Sequence, residues 1–213
     1  MNDYFLKAES INKTFGRRLI FKDLSFHFNK PGIYGISGAN GSGKSTLVKI
    51  IAGINSPSNG KIIHSIGGAE IIPEKLHNYI GFVSPYLVLY DEFSSMENLS
   101  HFASIRNISL NTERINYLFN EFKIFDRRND LVKTYSSGMK QRLKFIFALM
   151  HTPELIILDE PTSNLDEDGK SKVYKIIVEE AKNHIVLVAS NERTDLQYCS
   201  EEIILEKYKN NTE

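Results

Sequence analysis

Two short stretches of the 213-residue chain could do chemistry together. The first is GANGSGKST, residues 38–46, with the spacing Gly-x-x-x-x-Gly-Lys-Ser. Gly38, Gly41 and Gly43 allow a backbone to turn its N–H groups inward around a polyphosphate, with Ala39, Asn40 and Ser42 completing the loop. Lys44 can reach the β- and γ-phosphates. Ser45 can place its hydroxyl on Mg²⁺, and Thr46 continues into a helix start whose partial charge favours anions. The second stretch is LIILDE, residues 155–160, which ends on two carboxylates. Adjacent carboxylates are costly unless a cation or a proton offsets them, which argues for a metal site. Asp159 would hold Mg²⁺. Glu160 would point beyond the γ-phosphate and take a proton from attacking water. The flanking strand and helix favour the phosphate-loop reading of the first stretch strongly over a flexible glycine loop, while the second stretch alone reads equally as a polar strand end. Together they make one Mg-ATP site.

These residues need a sheet to bring them together. IYGIS reads as a strand before the loop, and STLVKIIAG as a helix closing on Gly53. The first thirty residues alternate as strands do, with Ile20, Leu24, Phe26 and Phe28 in a period of two. KIIHS and YIGFV are further strands. From Ser94 to His151 the pattern is helical, in SSMENLSHFASIR, NTERINYLFNEF and GMKQRLKFIFALM. LIILD and IVLVA are buried-type strands separated by a helix from Glu167 to Lys182. IILE is a last strand, followed by the polar, loose tail KYKNNTE. The fold class is α/β: a mostly parallel sheet with an antiparallel part, and a helical subdomain inserted at about 85–152 between core segments 1–84 and 153–213.

Lys plus Arg equals Asp plus Glu at 26 each, which removes the simplest argument for a nucleic-acid or anionic-lipid binder. No nucleic acid is expected as partner. The single cysteine, Cys199, permits no internal disulfide and fits a reducing compartment. MNDYFLKAES lacks the basic and apolar regions of a signal peptide. No apolar run approaches the ~18 residues that span a bilayer, so membrane work would need another chain. The six histidines are scattered without metal-ligand spacing.

At YSSGMKQR, residues 135–142, the chain resembles the ATP-binding cassette family, the ATPase subunits of ABC transporters. The likeness covers nearly the whole chain and implies a P-loop NTPase core. The family signature Leu-Ser-Gly-Gly-Gln is replaced by Tyr135, Ser136, Ser137, Gly138 and Met139, which keeps the first serine and the second glycine. Its physics can be read separately: Ser136 and Gly138 sit at a helix N-terminus, which is both an anion site and an ordinary N-cap. The resemblance implies a second copy packed head to tail, with ATP between Lys44 of one chain and Ser136 of the other. PTSNLD after Glu160 is similar to the family's D-loop, with Asp166 as its aspartate. Phe15 sits where the family stacks an aromatic ring on adenine. Arg17 and Arg18 beside it belong either near nucleotide or to a solvated turn.

Two positions depart from the family pattern. The strand IVLVAS leads to Asn191 where the family has a histidine touching the γ-phosphate. An amide can donate to phosphate but carries no charge. The competing reading is that Asn191 caps a short helix near Thr194. Where the family has a glutamine, this chain has Pro85, with Ser84 beside it. Tyr86, Leu87, Tyr90 and Phe93 then fall either on a surface that docks a membrane subunit or in the core of the helical lobe. The resemblance implies an active, slow ATPase that drives a separate membrane permease from the cytoplasmic face of the cell membrane. Its signature leans toward exporters, including those linked to haem export. Two alternatives stay open: a soluble cassette ATPase of an assembly complex, and a nucleotide-gated binding module with negligible turnover.

Overall fold

The computed structural model describes residues 3–209. Its strands form two sheets. The first is antiparallel, in the order β2 (Arg18–Phe28), β1 (Tyr4–Phe15), β4 (Asn59–Ile66), β5 (Ala69–Glu70). The second is parallel throughout, in the order β6 (Ile80–Val83), β7 (Leu155–Asp159), β8 (Ile185–Ser190), β3 (Gly32–Ser37), β9 (Glu201–Ile204). Every strand of the parallel sheet therefore delivers its C-terminal end to the same edge, where open α/β sheets hold ligands.

Parallel strands covered on both faces read as continuous apolar runs. Leu155, Ile157, Ile185 and Leu187 pack with helix α1 (Lys44–Ile51) and the antiparallel sheet. Their neighbours Ile156, Leu158, Val186 and Val188 face the other way, against a core shared with α2 (Ser95–Arg106), α3 (Thr112–Glu121), α4 (Ser137–Leu149) and α5 (Glu167–Glu180). Residues 85–152 contribute no strand to either sheet, yet their apolar side chains join one face of the parallel sheet in a single cluster.

The alternation expected in β2 is broken. Ile20, Leu24 and Phe28 are buried, but so is Phe21, and Phe26 is only half-buried. The β1–β2 ladder carries register shifts, and Asp23 takes a left-handed backbone, so side chains change face along the strand. Helix α1 runs to Ile51 and closes at the expected stop. Gly53 follows the cap at φ 72°, and Ile54 N–H returns to Lys49 O at 2.9 Å. The tail expected to be loose from Lys207 is ordered at its start. Residues 205–208 form a 3-10 turn with Leu205 fully buried, while 210–213 lie outside the described residues.

Helix α2 opens with a capping box: Ser94 Oγ accepts from Glu97 N–H at 3.2 Å, and Glu97 Oε2 accepts from Ser94 N–H at 2.7 Å. Buried Asn98 then stitches residues 90–94 to the helix, accepting from Tyr90 N–H and donating to Tyr90 O, both at 2.9 Å. Helix α4 lies hard against β6. A Cβ at Gly81 would sit 2.2 Å from Ala148 O, so only glycine permits that approach.

His64 is buried and His151 half-buried. His64 is bonded to the Tyr4 hydroxyl at 2.6 Å, and His151 Nε2 lies 3.2 Å from Ile80 O. Burial pushes both down to about 4. Unfolded, each takes its proton near 6.5; folded, only near 4. Stability is therefore complete above pH 6.5 and falls as pH drops to 4, by about 3 kcal/mol per histidine once fully expressed. Denaturant titrations at stepped pH should show this acid limb. It should shrink in the Tyr4→Phe/His64→Leu double variant, and an unchanged limb there would refute the assignment.

Candidate functional site

The loop of residues 38–43 leaves the end of β3 and enters α1 directly. Gly38, Gly41 and Gly43 all take positive φ, at 154°, 75° and 112°. At Gly43 a second constraint acts, since a Cβ there would meet Ile20 Cγ2 at 2.5 Å. Lys44 is buried at the first turn of α1, and its ammonium donates to Gly38 O at 2.8 Å and Ala39 O at 3.3 Å. α1 has no side-chain cap at its N-terminus, so its first N–H groups remain available to an anion.

Across the sheet, β7 ends at Asp159, which is 1% exposed. Ser45 Oγ donates to Asp159 Oδ1 at 3.1 Å, joining residues 114 apart in sequence. Burial raises the Asp159 carboxyl above the usual carboxylate range, with the Glu160 charge adding to it and Ser45, Lys49 and Lys44 opposing. The other oxygen, Oδ2, is buried without any hydrogen-bond partner. A buried carboxylate oxygen left unmatched beside a serine hydroxyl suits a hard divalent cation. Among the described residues no cluster of three His, Cys, Asp or Glu could hold a metal alone. Mg²⁺ fits this pair because it commonly takes one or two protein ligands and completes its shell with phosphate oxygens and water.

Glu160 follows with a left-handed backbone, φ 48°, pinned by its N–H to Ala189 O at 2.9 Å. It lines an open cleft of about 420 Å³ with Phe15, Arg18, Asn40, Gly41, Gly43, Lys44, Ser45 and Thr46. The structure thus brings together the phosphate loop, Glu160 and Phe15, whose ring is 53% exposed and carries Lys13 Nζ 4.8 Å from its centroid. Arg18 is exposed at the rim of the same cleft. Tyr86 also lines this cleft, a place that neither the docking-face nor the lobe-core reading gave it.

Asn191 does not cap a helix. Glu192 holds the N-cap position of α6 (Arg193–Leu196) and makes no side-chain cap bond. Asn191 instead lines a second depression beside the loop, with Ser37, Gly38, Ala39 and Asn40, and Asn40 is shared with the first cleft. At the other departure, Ser84 is buried, and its hydroxyl accepts from Tyr86 N–H at 3.3 Å. Lys144 of α4 donates to Ser84 O at 3.3 Å and Pro85 O at 2.8 Å. Ser84 is therefore committed to the turn, and does not line the cleft with Glu160. Tyr86, Val88 and Tyr90 are 72%, 84% and 61% exposed, and Phe93 is 37% exposed. The lobe core takes Leu89 instead, and Leu87 is half-buried over a neighbouring apolar groove.

Ser136 is the N-cap of α4, and its hydroxyl accepts from Met139 N–H at 3.2 Å. It is exposed and does not line the cleft that Lys44 lines, so one chain does not bring the two together. Gly138 faces the loop after Glu160, where a Cβ would lie 3.5 Å from Asn164 O. Asp166 caps α5, accepting from Gly169 N–H at 2.9 Å, a bond that holds its carboxyl below the usual range. Gln141 and Arg142 of α4 reach the same loop, at Pro161 O (3.1 Å) and Asp166 Oδ1 (3.3 Å). Sequence reasoning missed Asp195, a buried carboxylate that accepts from Thr162 Oγ1 at 2.7 Å, Ser190 Oγ at 2.6 Å and the Tyr174 hydroxyl at 2.5 Å. It ties the loop after β7 to the end of β8. Burial pushes the Cys199 thiol up to about 12, which makes it an unreactive packing residue.

Comparison with known proteins agrees with this geometry. The profile of the ABC transporter family matches residues 21–163. The uncharacterised ABC transporter ATP-binding protein YdbJ of Bacillus subtilis is 33% identical over 210 residues, 97% of this chain and 68% of that protein. The lantibiotic transport ATP-binding protein SrtF of Streptococcus pyogenes is 31% identical over 211 residues, covering 95% and 90%. A putative ABC transporter ATP-binding protein from Pyrococcus furiosus superimposes with a TM-score of 0.82 at 26% identity, over 96% of this chain and 99% of its own. The chain belongs to the ABC transporter family as an ATP-binding subunit, and the members of that family are ATPases coupled to transport.

Proposed function

We propose that this chain binds Mg-ATP in the cleft between Lys44 and Glu160, closes on a second copy of itself, and hydrolyses the nucleotide to drive a separate membrane permease. The observation that carries the reading is the Ser45–Asp159 pair with its unmatched Oδ2, set beside the phosphate loop and across from Glu160. Lys44 and the uncapped N–H groups of α1 would take the phosphates, and Phe15 would stack on the base. Ser45 and Asp159 would hold Mg²⁺, which supplies charge neutralisation on the β- and γ-oxygens. Glu160 would accept the proton of the attacking water. Asn191 would add an uncharged donor, weaker than a cation, and Pro85 would add none, so slow turnover is the reading these residues support.

Ser136 supports the second copy, because it stands at a helix N-terminus, a place that suits an anion, on an exposed face outside the cleft lined by the chain's own loop. For the permease, the supporting feature is the exposed Tyr86, Val88 and Tyr90 beside an apolar groove lined by Ile54, Phe82, Leu87, Phe102 and Phe147. Among the described residues no helix is long and apolar enough to cross a membrane. The chain would work at the cytoplasmic face of the membrane. The relative SrtF is named for lantibiotic transport, and we carry over transport alone; an exporter is the direction that the YSSGMKQR signature favours.

The decisive measurement is size-exclusion chromatography of Glu160→Gln with Mg-ATP. The variant is expected to run as a dimer with Mg-ATP and as a monomer without it, and Ser136→Arg in the same background should abolish the shift. A monomer under all conditions would overturn the nucleotide-sandwich reading.

A further inference from the structure

β9 runs parallel to β3 in a register that pairs Ile204 with Ser37, the last residue before the phosphate loop. The chain then turns through residues 205–208, anchored by fully buried Leu205. That anchor places Glu206 against the back of the loop. Its Oε1 accepts from Ala39 N–H at 2.7 Å. A Cβ at Gly38 would lie only 3.1 Å from the same oxygen, so glycine there leaves room for the carboxylate.

The peptide unit that joins Gly38 to Ala39 has two ends, and both are charge-assisted. Its N–H points to the Glu206 carboxylate, and its carbonyl, Gly38 O, accepts from the Lys44 ammonium at 2.8 Å. An anion on the donor side and a cation on the acceptor side polarise one amide in the same sense, so each bond strengthens the other. We infer that Glu206 is a positioning residue for nucleotide binding: it fixes the plane of the Gly38–Ala39 peptide and, through it, the resting place of Lys44. Glu206 is exposed, and the Ala39 N–H holds its carboxyl below the usual range, so it is ionised at neutral pH. It acts through the loop and contacts none of the reacting groups.

The inference rests on the Mg-ATP reading of the cleft. Its test compares the full chain with Glu206→Ala and Glu206→Gln. Losing the acceptor should raise the KM for Mg-ATP about fivefold with kcat within twofold, while glutamine, which keeps a carbonyl acceptor but loses the charge, should fall between alanine and wild type. Ala39 amide exchange, followed by NMR, should speed up most in Glu206→Ala and less in Glu206→Gln, with the unfolding midpoint unchanged in both. Wild-type KM with wild-type Ala39 exchange in Glu206→Ala would overturn the inference, as would tighter binding or loss of global stability. If the wild-type chain binds no Mg-ATP, the nucleotide reading fails, and Ala39 exchange alone decides whether the brace exists.

Discussion

Glu160→Gln is expected to lower phosphate release by ~10²–10⁴-fold, the range in which a positioned general base contributes, while Mg-ATP affinity stays within about twofold. Glutamine keeps the size and the hydrogen-bonding shape of the side chain but cannot take a proton from water. The backbone gives the residue little freedom. Its φ of 48° and the bond from Glu160 N–H to Ala189 O fix the direction in which the side chain leaves the sheet edge. A non-glycine residue held in the left-handed region costs of order 1–3 kcal/mol and persists where the surroundings over-determine it. Its neighbour Asp159 cannot take over, because that carboxylate is buried and already engaged by Ser45. A single-turnover assay beside an equilibrium binding titration checks the split. Turnover within tenfold of wild type would remove Glu160 from the base role.

Asp195→Ala should be the most damaging change away from the cleft. It takes the shared acceptor from three hydroxyls, those of Thr162, Tyr174 and Ser190, in a buried place. Each stranded donor costs about 1–3 kcal/mol, so the loss should be about 3 kcal/mol or more. At 2–4 °C per kcal/mol for a domain of this size, the unfolding midpoint falls by roughly 6–12 °C. Catalysis should suffer as well, since Thr162 belongs to the loop after Glu160, and Ser190 Oγ accepts from Glu192 N–H at 3.0 Å, beside Asn191. Asp195→Asn, which retains one acceptor, should recover part of the stability. A loss below 1 kcal/mol for alanine in denaturant unfolding would show that water or rearrangement replaces the carboxylate.

The phosphate loop and the carboxylate pair could be read early because each is contiguous. One strand, one tight turn and one helix carry the local constraints on residues 38–46, and a single buried strand carries Asp159 and Glu160 to the edge. Their joining across the sheet, Ser45 to Asp159, followed from the chemistry of one shared cation. Asp195 had no such local mark. It is one of two acids in NERTDL, and its partners come from 33, 21 and 5 residues away along the chain. Glu206 was hidden for the same reason, since its partner Ala39 lies 167 residues upstream. Periodicity failed where the ladder shifts: Phe21 is buried out of phase because β1 and β2 slip against each other. The cap reading of Asn191 failed by one residue, because the helix it would have served starts on Arg193 with Glu192 at its N-cap position.

Helix α4 has a consequence that reaches past the chain. Lys144 grips the carbonyls of Ser84 and Pro85, and Lys140 pairs with Asp91 at 2.8 Å, so both ends of the exposed 86–90 segment are fastened to one helix. Four to eight residues back along the same helix, Ser136 stands at its tip. An α-helix of 13 residues, about 20 Å long, behaves as a stiff rod at that scale. A load on Tyr86 or Tyr90 would therefore be passed along α4 toward Ser136. In the dimer and permease assembly proposed above, transport and hydrolysis would exchange mechanical stroke through a lever whose two grips are lysines.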